Sequence, residues 1–194
     1  GNGMHVHMSI RDATTNEPIF CDGSSLTPRG AAFVEGILQH LPALMGLSLP
    51  SVNSFRRVGP GCWTGSVVGW ALEDKEVGVR VCSNLSSKEW DHVEYKLIDN
   101  TCNLYMALAG LLSCGLHGIT NELTLRSALE ITKGESSPDP LPGSVQEALA
   151  ALEGDDLITN ALGCHLSKGY LALRRHEAER ASDMTLEDEV KESL

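Results

Sequence analysis

Apolar and polar residues alternate near the start of the chain, where Met4, Val6 and Met8 are interleaved with His5, His7 and Ser9. This period of two predicts a strand with both imidazoles on one face. Residues 12–17 and 21–27 are polar and turn-rich. After Pro28 the spacing turns helical through Phe33, Val34, Ile37, Leu38 and Leu41, predicting one long helix that ends before Pro50. From Ser51 to Gly65 the chain is rich in Gly, Pro, Asn and Arg and has no period, so it reads as a loop. Strands are predicted over Ser66–Leu72 and Val77–Val81, joined as a hairpin by Glu73-Asp74-Lys75-Glu76. A third strand, His92–Ile98, sets His92, Glu94 and Lys96 on one face and Val93, Tyr95 and Leu97 on the other.

Asp99 and Asn100 are placed to cap a helix through Leu104, Met106, Ala107, Leu108, Leu111 and Leu112, whose apolar surface is broad enough for burial on most sides. Residues 134–142 read as a loop, and Ser144 with Glu147 forms the capping box of a following helix. A last helix, about Ser167 to Ala181, sets Tyr170, Leu171 and Leu173 against the core and leaves Arg174, Arg175, Glu177 and Arg180 solvated. Thr185 is placed to cap a short helix in the acidic tail. The sequence contains no internal repeat and no second domain.

With 194 residues and 42% hydrophobic content, the chain is long enough for one domain with a real core. Its longest apolar run, Leu104 to Leu116, is broken by Gly110, Ser113 and Gly115 and falls short of the roughly 18 residues a membrane span needs. No membrane partner is expected. A formal net charge of −11, with the basic residues scattered, argues against nucleic acid. The six cysteines form no C-x-x-C pair and read as free thiols in a reducing compartment, hence a cytoplasmic location. The chain opens inside a motif, without a start methionine or a basic n-region, and reads as a piece of a longer protein.

The His5/His7 pair follows Gly1-Asn2-Gly3, where backbone can approach a ligand closely. Alone, an H-x-H pair on a strand is as readily a polar pair satisfied by its neighbours. The second strand strengthens the metal reading, because its Glu94 offers a hard divalent cation carboxylate oxygen beside imidazole. In the loop, Arg56 and Arg57 sit on backbone stiffened by Gly59, Pro60 and Gly61, which suits bidentate capture of a carboxylate or phosphate. A solvated turn is the competing reading there. Lys75, Arg80 and Lys88 add cations to an acidic chain, favouring an anionic ligand.

Taken in order, these segments resemble the catalytic domain of glutamine synthetases. Gly1-Asn2-Gly3-Met4-His5-Val6-His7-Met8-Ser9 is similar to the family's ATP- and metal-binding segment, and Asn53-Ser54-Phe55-Arg56-Arg57 with Gly59-Pro60-Gly61 to its N-S-[YF]-[KR]-R loop. Glu94, Asp99 to Tyr105 and Leu171-Ala172-Leu173-Arg174-Arg175 follow at fitting intervals, so the resemblance covers nearly all of the chain. It implies an α+β fold: a mostly antiparallel, curved sheet carrying His7 and Glu94, with helices on its outer face. It also implies that residues 1–194 are the C-terminal part of the catalytic domain, with the N-terminal domain and the first part of the catalytic domain upstream, and that the full-length protein forms a homo-oligomeric ring.

Carried over residue by residue, the resemblance makes His7 and Glu94 ligands of Mg2+ or Mn2+, and Asn2, Gly3, Arg57 and Lys96 contacts to glutamate. Arg57 is also the catalytic arginine near the transferred phosphoryl group. Ser9, Lys75, Arg80 and Lys88 become contacts to ATP, the co-substrate. The implied reaction joins the glutamate side-chain carboxylate to ammonia through an acyl phosphate. Three positions depart from the family. Lys75 and Lys96 stand where it has arginines, keeping charge but losing the bidentate fork. Trp63 stands where the ammonia-using enzymes have a glutamate that helps deprotonate ammonium. The alternatives are a γ-glutamyl ligase for a larger amine and a non-catalytic scaffold of the same fold. The isolated chain is expected to bind metal weakly and to turn over no ATP.

Overall fold

A computed structural model describes residues 3–129, 139–182, 184, 185, 187, 188 and 191. Thr27 accepts a hydrogen bond from the Gly30 amide, and Pro28 opens helix α1, Pro28–Gln39. The expected single long helix is divided. His40 leaves helical geometry at φ −104°, ψ 9°, and Pro42 enters the first turn of α2, Leu41–Ser48, where its missing N–H is tolerated. The predicted loop contains a short helix, α3, Val52–Phe55, capped by Ser51.

Helix α4, Leu104–Thr120, is capped by Asn103 rather than by Asp99 or Asn100. Asp99 instead accepts from the amide and hydroxyl of Thr101, closing the turn before that cap. Helices α5 (Val145–Glu153), α6 (Asp156–Leu162) and α7 (Cys164–Ser182) follow. Ser144 caps α5 as expected, and the Glu147 carboxylate reaches back to the Gly143 amide at 2.8 Å. Thr185 and Asp188 exchange hydrogen bonds between side chain and amide in the tail. Most of the predicted 134–142 loop lies outside the described residues. None of the described helices is long and apolar enough to cross a membrane.

Helices α1 and α4 pack with their backbones in contact. A Cβ on Gly36 would lie 2.1 Å from the Cys114 carbonyl oxygen, and one on Gly118 would lie 2.0 Å from that of Ala32, so only glycine permits the approach. The opposite side of α4 is open, with Leu104, Tyr105, Leu112 and Leu116 exposed, which corrects the expectation of burial on most sides. In α7, Tyr170 and Leu171 are buried, but Leu173 points outward. The Tyr170 hydroxyl donates to the Gly46 carbonyl at 2.8 Å and ties α7 to α2.

The strands are β1 (Val6–Met8), β2 (Cys21–Asp22), β3 (Ser25–Leu26), β4 (Trp70–Leu72), β5 (Val79–Ser83) and β6 (Trp90–Tyr95). Among the described residues, β2 and β3 form a small antiparallel pair, and the larger sheet runs β1-β6-β5-β4. Its β1/β6 and β6/β5 pairings are antiparallel, whereas β4 and β5 are parallel. The sheet is therefore mixed, and the expected hairpin over 66–81 is not formed. With β4 only three residues long, the 73–78 linker can return along its length and start β5 in the same direction. Glu73, at φ 56°, anchors that return by accepting from the amide and hydroxyl of Ser83. Val79, Val81, Val93 and Tyr95 face the helices in one continuous core, and the opposite face of the same strands is polar.

Candidate active site

Register assembles the polar face. His7 on β1 lies opposite Glu94 on β6, and on the other side of β6 Arg80 lies opposite Glu94 and Cys82 opposite His92. Alternation then brings these side chains, with His5, to one side of the sheet.

Glu94 is the centre of this group and is only 3% exposed. Its Oε1 is 2.8 Å from His5 Nδ1 and 3.4 Å from His7 Nε2, and its Oε2 accepts from Arg80 Nε at 2.7 Å. A buried carboxylate requires such charge-assisted partners. Burial pushes its pKa upward, but Arg80 and His5 outweigh that, so the net shift is downward and the group stays ionised. Burial also lowers the pKa of His7 against the opposing pull of Glu94, keeping the imidazole neutral at pH 7 with one ring nitrogen free to act as a ligand.

His7 Nδ1 lies 2.8 Å from His92 Nε2, and His92 Nδ1 lies 3.0 Å from Asp91 Oδ2. If Nδ1 carries the His7 proton, Nε2 presents its lone pair to an ionised carboxylate oxygen. Two such donors fit part of the shell of a divalent cation.

Arg57 builds a second group. The Ser51-capped turn of α3 delivers it to the end of the sheet, where Nη2 donates to the Ile98 carbonyl at 2.6 Å. Gly3 bridges to Asp99 and lies against this guanidinium, since a Cβ there would be 3.5 Å from Arg57 Nη1. Burial lowers the Arg57 pKa and Asp99 opposes the shift. A cavity of about 280 Å³ opens here between Asn53, Arg57, Asp99 and Thr101, and Arg57 Nε is buried without a hydrogen-bond partner. A half-buried guanidinium lining a cavity suits a carboxylate.

Thus His7, Glu94 and Arg80 converge, as do Gly3 and Arg57. Asn2 lies outside the described residues. Lys96 is buried, and its ammonium donates to the Lys75 carbonyl. Burial pushes its pKa down while Glu94 opposes this. Ser9, just past β1, and Lys88, in the turn before β6, are exposed. The Lys75 ammonium sits 4.7 Å from the ring centroid of Trp63. Trp63 is 57% exposed at φ 61°. Its loop is pinned by Glu76, whose carboxylate accepts from the amides of Gly61 at 2.8 Å and Trp63 at 3.3 Å.

The resemblance assigned no role to His5, His92 or Cys82, which lie on the same polar face as Glu94. The period-two pattern held the signal for the two histidines. Cys82 carried none, because its place depends on the β5/β6 register.

Comparison with known proteins gives a consistent result. A family model described as "Glutamine synthetase, catalytic domain" matches residues 1–193. The glutamine synthetase of Thermotoga maritima is 32% identical over 182 residues, covering 88% of this chain and 40% of the relative. A γ-glutamylpolyamine synthetase, GlnA3, of Streptomyces coelicolor is 32% identical over 191 residues, covering 92% of this chain and 41% of the relative. A solved structure titled "GmaS/ADP complex-Conformation 1" superposes with a TM-score of 0.81 at 26% identity, covering 96% of this chain and 44% of that one. The chain therefore spans about two fifths of the length of the curated relatives it matches.

Proposed function

Since the chain belongs to the glutamine synthetase family, we propose that the full-length protein is an ATP-dependent ligase joining the glutamate side-chain carboxylate to an amine through an acyl phosphate, with ammonia as the first candidate. The observation that carries this reading is the buried Glu94 carboxylate facing the neutral His7 ring, one strand away from Arg80.

On this reading His7 Nε2 and Glu94 hold Mg2+ or Mn2+, with further ligands from upstream of this chain. The bound cation supplies positive charge against the phosphate oxygens of ATP. His92, backed by Asp91, accepts the Nδ1 proton of His7 and so directs Nε2 toward Glu94. Arg80 keeps Glu94 ionised and in place, and with Lys75, Ser9 and Lys88 forms the nucleotide side. Arg57, with Asn2, Gly3 and Lys96, binds glutamate and holds its carboxylate for phosphorylation, where a fixed guanidinium also offsets developing negative charge. Residues 1–194 serve as the C-terminal part of a catalytic domain completed by upstream sequence and by ring assembly. Alone they turn over no ATP.

A second reading concerns the amine. Glu76, the carboxylate at the Trp63 loop, has both oxygens on backbone amides, and the Trp63 ring already carries an alkylammonium, that of Lys75. An exposed indole beside an occupied carboxylate offers the incoming amine apolar surface rather than a base, which favours a larger amine. A relative named γ-glutamylpolyamine synthetase is consistent with that preference.

The test is phosphate release by the full-length enzyme with ATP, Mg2+ and glutamate, supplied in turn with ammonium, methylamine, a diamine and a polyamine. Release that requires both glutamate and an amine is expected. Absence of glutamate-dependent release with every amine would overturn the ligase reading in favour of a scaffold.

A further inference from the structure

Beyond Glu94, the same polar face brings together a second set of donors. His92 on β6 and Cys82 on β5 are register partners, His7 on β1 lies diagonally across from His92, and one ligand atom from each of the three falls within 4.8 Å of the others. His7 Nδ1 and His92 Nε2 are 2.8 Å apart. Cys82 is buried, while His7 opens to solvent. Zinc–ligand bonds of about 2.0–2.3 Å set tetrahedral ligand atoms roughly 3.3–3.8 Å apart, so side-chain rotations that part the two nitrogens and close the widest separation by about 1 Å place all three donors on one ion. Imidazole and thiolate together select zinc and similar thiophilic cations over Mg2+.

We propose that His7, His92 and Cys82 form a binding site for a thiophilic divalent cation, and that its occupation is exclusive of a hard cation held between His7 and Glu94. The second half of this proposal rests on the ligase reading; the first does not. Binding exchanges the Cys82 thiol proton for a metal–sulfur bond and releases the proton to solvent. The exposed side of His7 leaves the fourth tetrahedral position to water.

Exclusion follows from the two nitrogens of one ring. A neutral imidazole has one N–H and one lone pair. With the proton on Nδ1, His7 donates to His92 and offers Nε2 toward Glu94. With the proton on Nε2, it donates toward Glu94 Oε1, 3.4 Å away, and Nδ1 joins His92 and Cys82. In both arrangements His92 can keep its own proton on Nδ1, facing Asp91 at 3.0 Å, so its Nε2 is free either to accept from His7 or to bind metal. Only the His7 proton has to change place.

The experiment uses the metal-depleted full-length protein with Co2+ as a spectroscopic probe for zinc. A near-ultraviolet cobalt–thiolate charge-transfer band is expected, displaced by Zn2+ and weakened only by a large excess of Mg2+, as competition through His7 requires. Cys82→Ser should abolish the band and weaken zinc binding more than about 100-fold, since even outer-sphere partners change metal affinity roughly 10–100-fold. The same variant should keep Mg2+-dependent phosphate release while losing its inhibition by zinc. No thiolate band, or one unchanged by Cys82→Ser, overturns the site. Zinc bound through Cys82 without inhibiting turnover overturns the exclusion alone. A Cys82-dependent band in a protein that releases no phosphate with any amine upholds the site while the ligase reading fails.

Discussion

On one face of β5 and β6, Val79, Val81, Val93 and Tyr95 are fully buried and share a core with the helices; on the other, Arg80, Cys82, His92 and Glu94 alternate with them. The apolar face is redundant, since each side chain is one of many and its loss is met by partial relaxation of the rest. The polar face depends on a single carboxylate with three nitrogen partners, so its contacts stand or fall together. The same strands therefore separate stability from chemistry by the parity of residue number.

The most severe perturbation of the polar face is Glu94→Gln. Phosphate release by the full-length enzyme should fall by about 10³-fold or more, with the folded state retained; turnover near that of the unmodified protein would deny Glu94 its role. Leu97→Ala, on the apolar side just after β6, should remove about 2–5 kcal/mol of stability in denaturant titration. The protein that remains folded should work normally.

Acid sharpens the contrast further. Glu94, and Glu35 of α1, which pairs with Arg126, have pKa values below the ordinary 4.5, because their arginine partners outweigh the upward push of burial. Unfolded, these groups take up protons first, so they stabilise the fold above that value and the contribution is lost as pH falls through their folded pKa. The Leu97→Ala curve of stability against pH should run parallel to that of the unmodified protein, whereas Glu94→Gln should flatten it on the acid side. The smallest effect is Tyr95→Phe. It removes a hydroxyl 2.9 Å from Ser48 Oγ while Ser48 still donates to the Leu97 carbonyl, so about 1 kcal/mol is expected from chemical denaturation.

Much of this was legible in the sequence, because side-chain alternation holds whichever strand lies alongside. The patterns at 4–8 and 92–98 sorted His7 and Glu94 from the apolar residues before any pairing was known. Pairing itself was not legible. Nothing in residues 66–81 distinguishes a parallel return from a hairpin, and the placement of Cys82 beside His92 exists only once register is set. The leucines of α4 announce a helix but not how much of it other elements cover. Pro42 could have marked the division at His40, since proline is favoured in the first turn of a helix and breaks an interior. Charge alone also did not foretell that the Lys96 ammonium lies within the fold on the Lys75 carbonyl.

Among the described residues, His7 belongs to an edge strand of three residues whose partners lie more than eighty positions along the chain. Such a strand can detach in a local opening that leaves the core closed, and its amides should then exchange hydrogen long before those of β5. A cation shared with Glu94 would tie that edge down, because it binds only the attached state. Amide exchange along β1 thus becomes a gauge of occupancy, and the last segment of the sheet to dock is the one that completes the site.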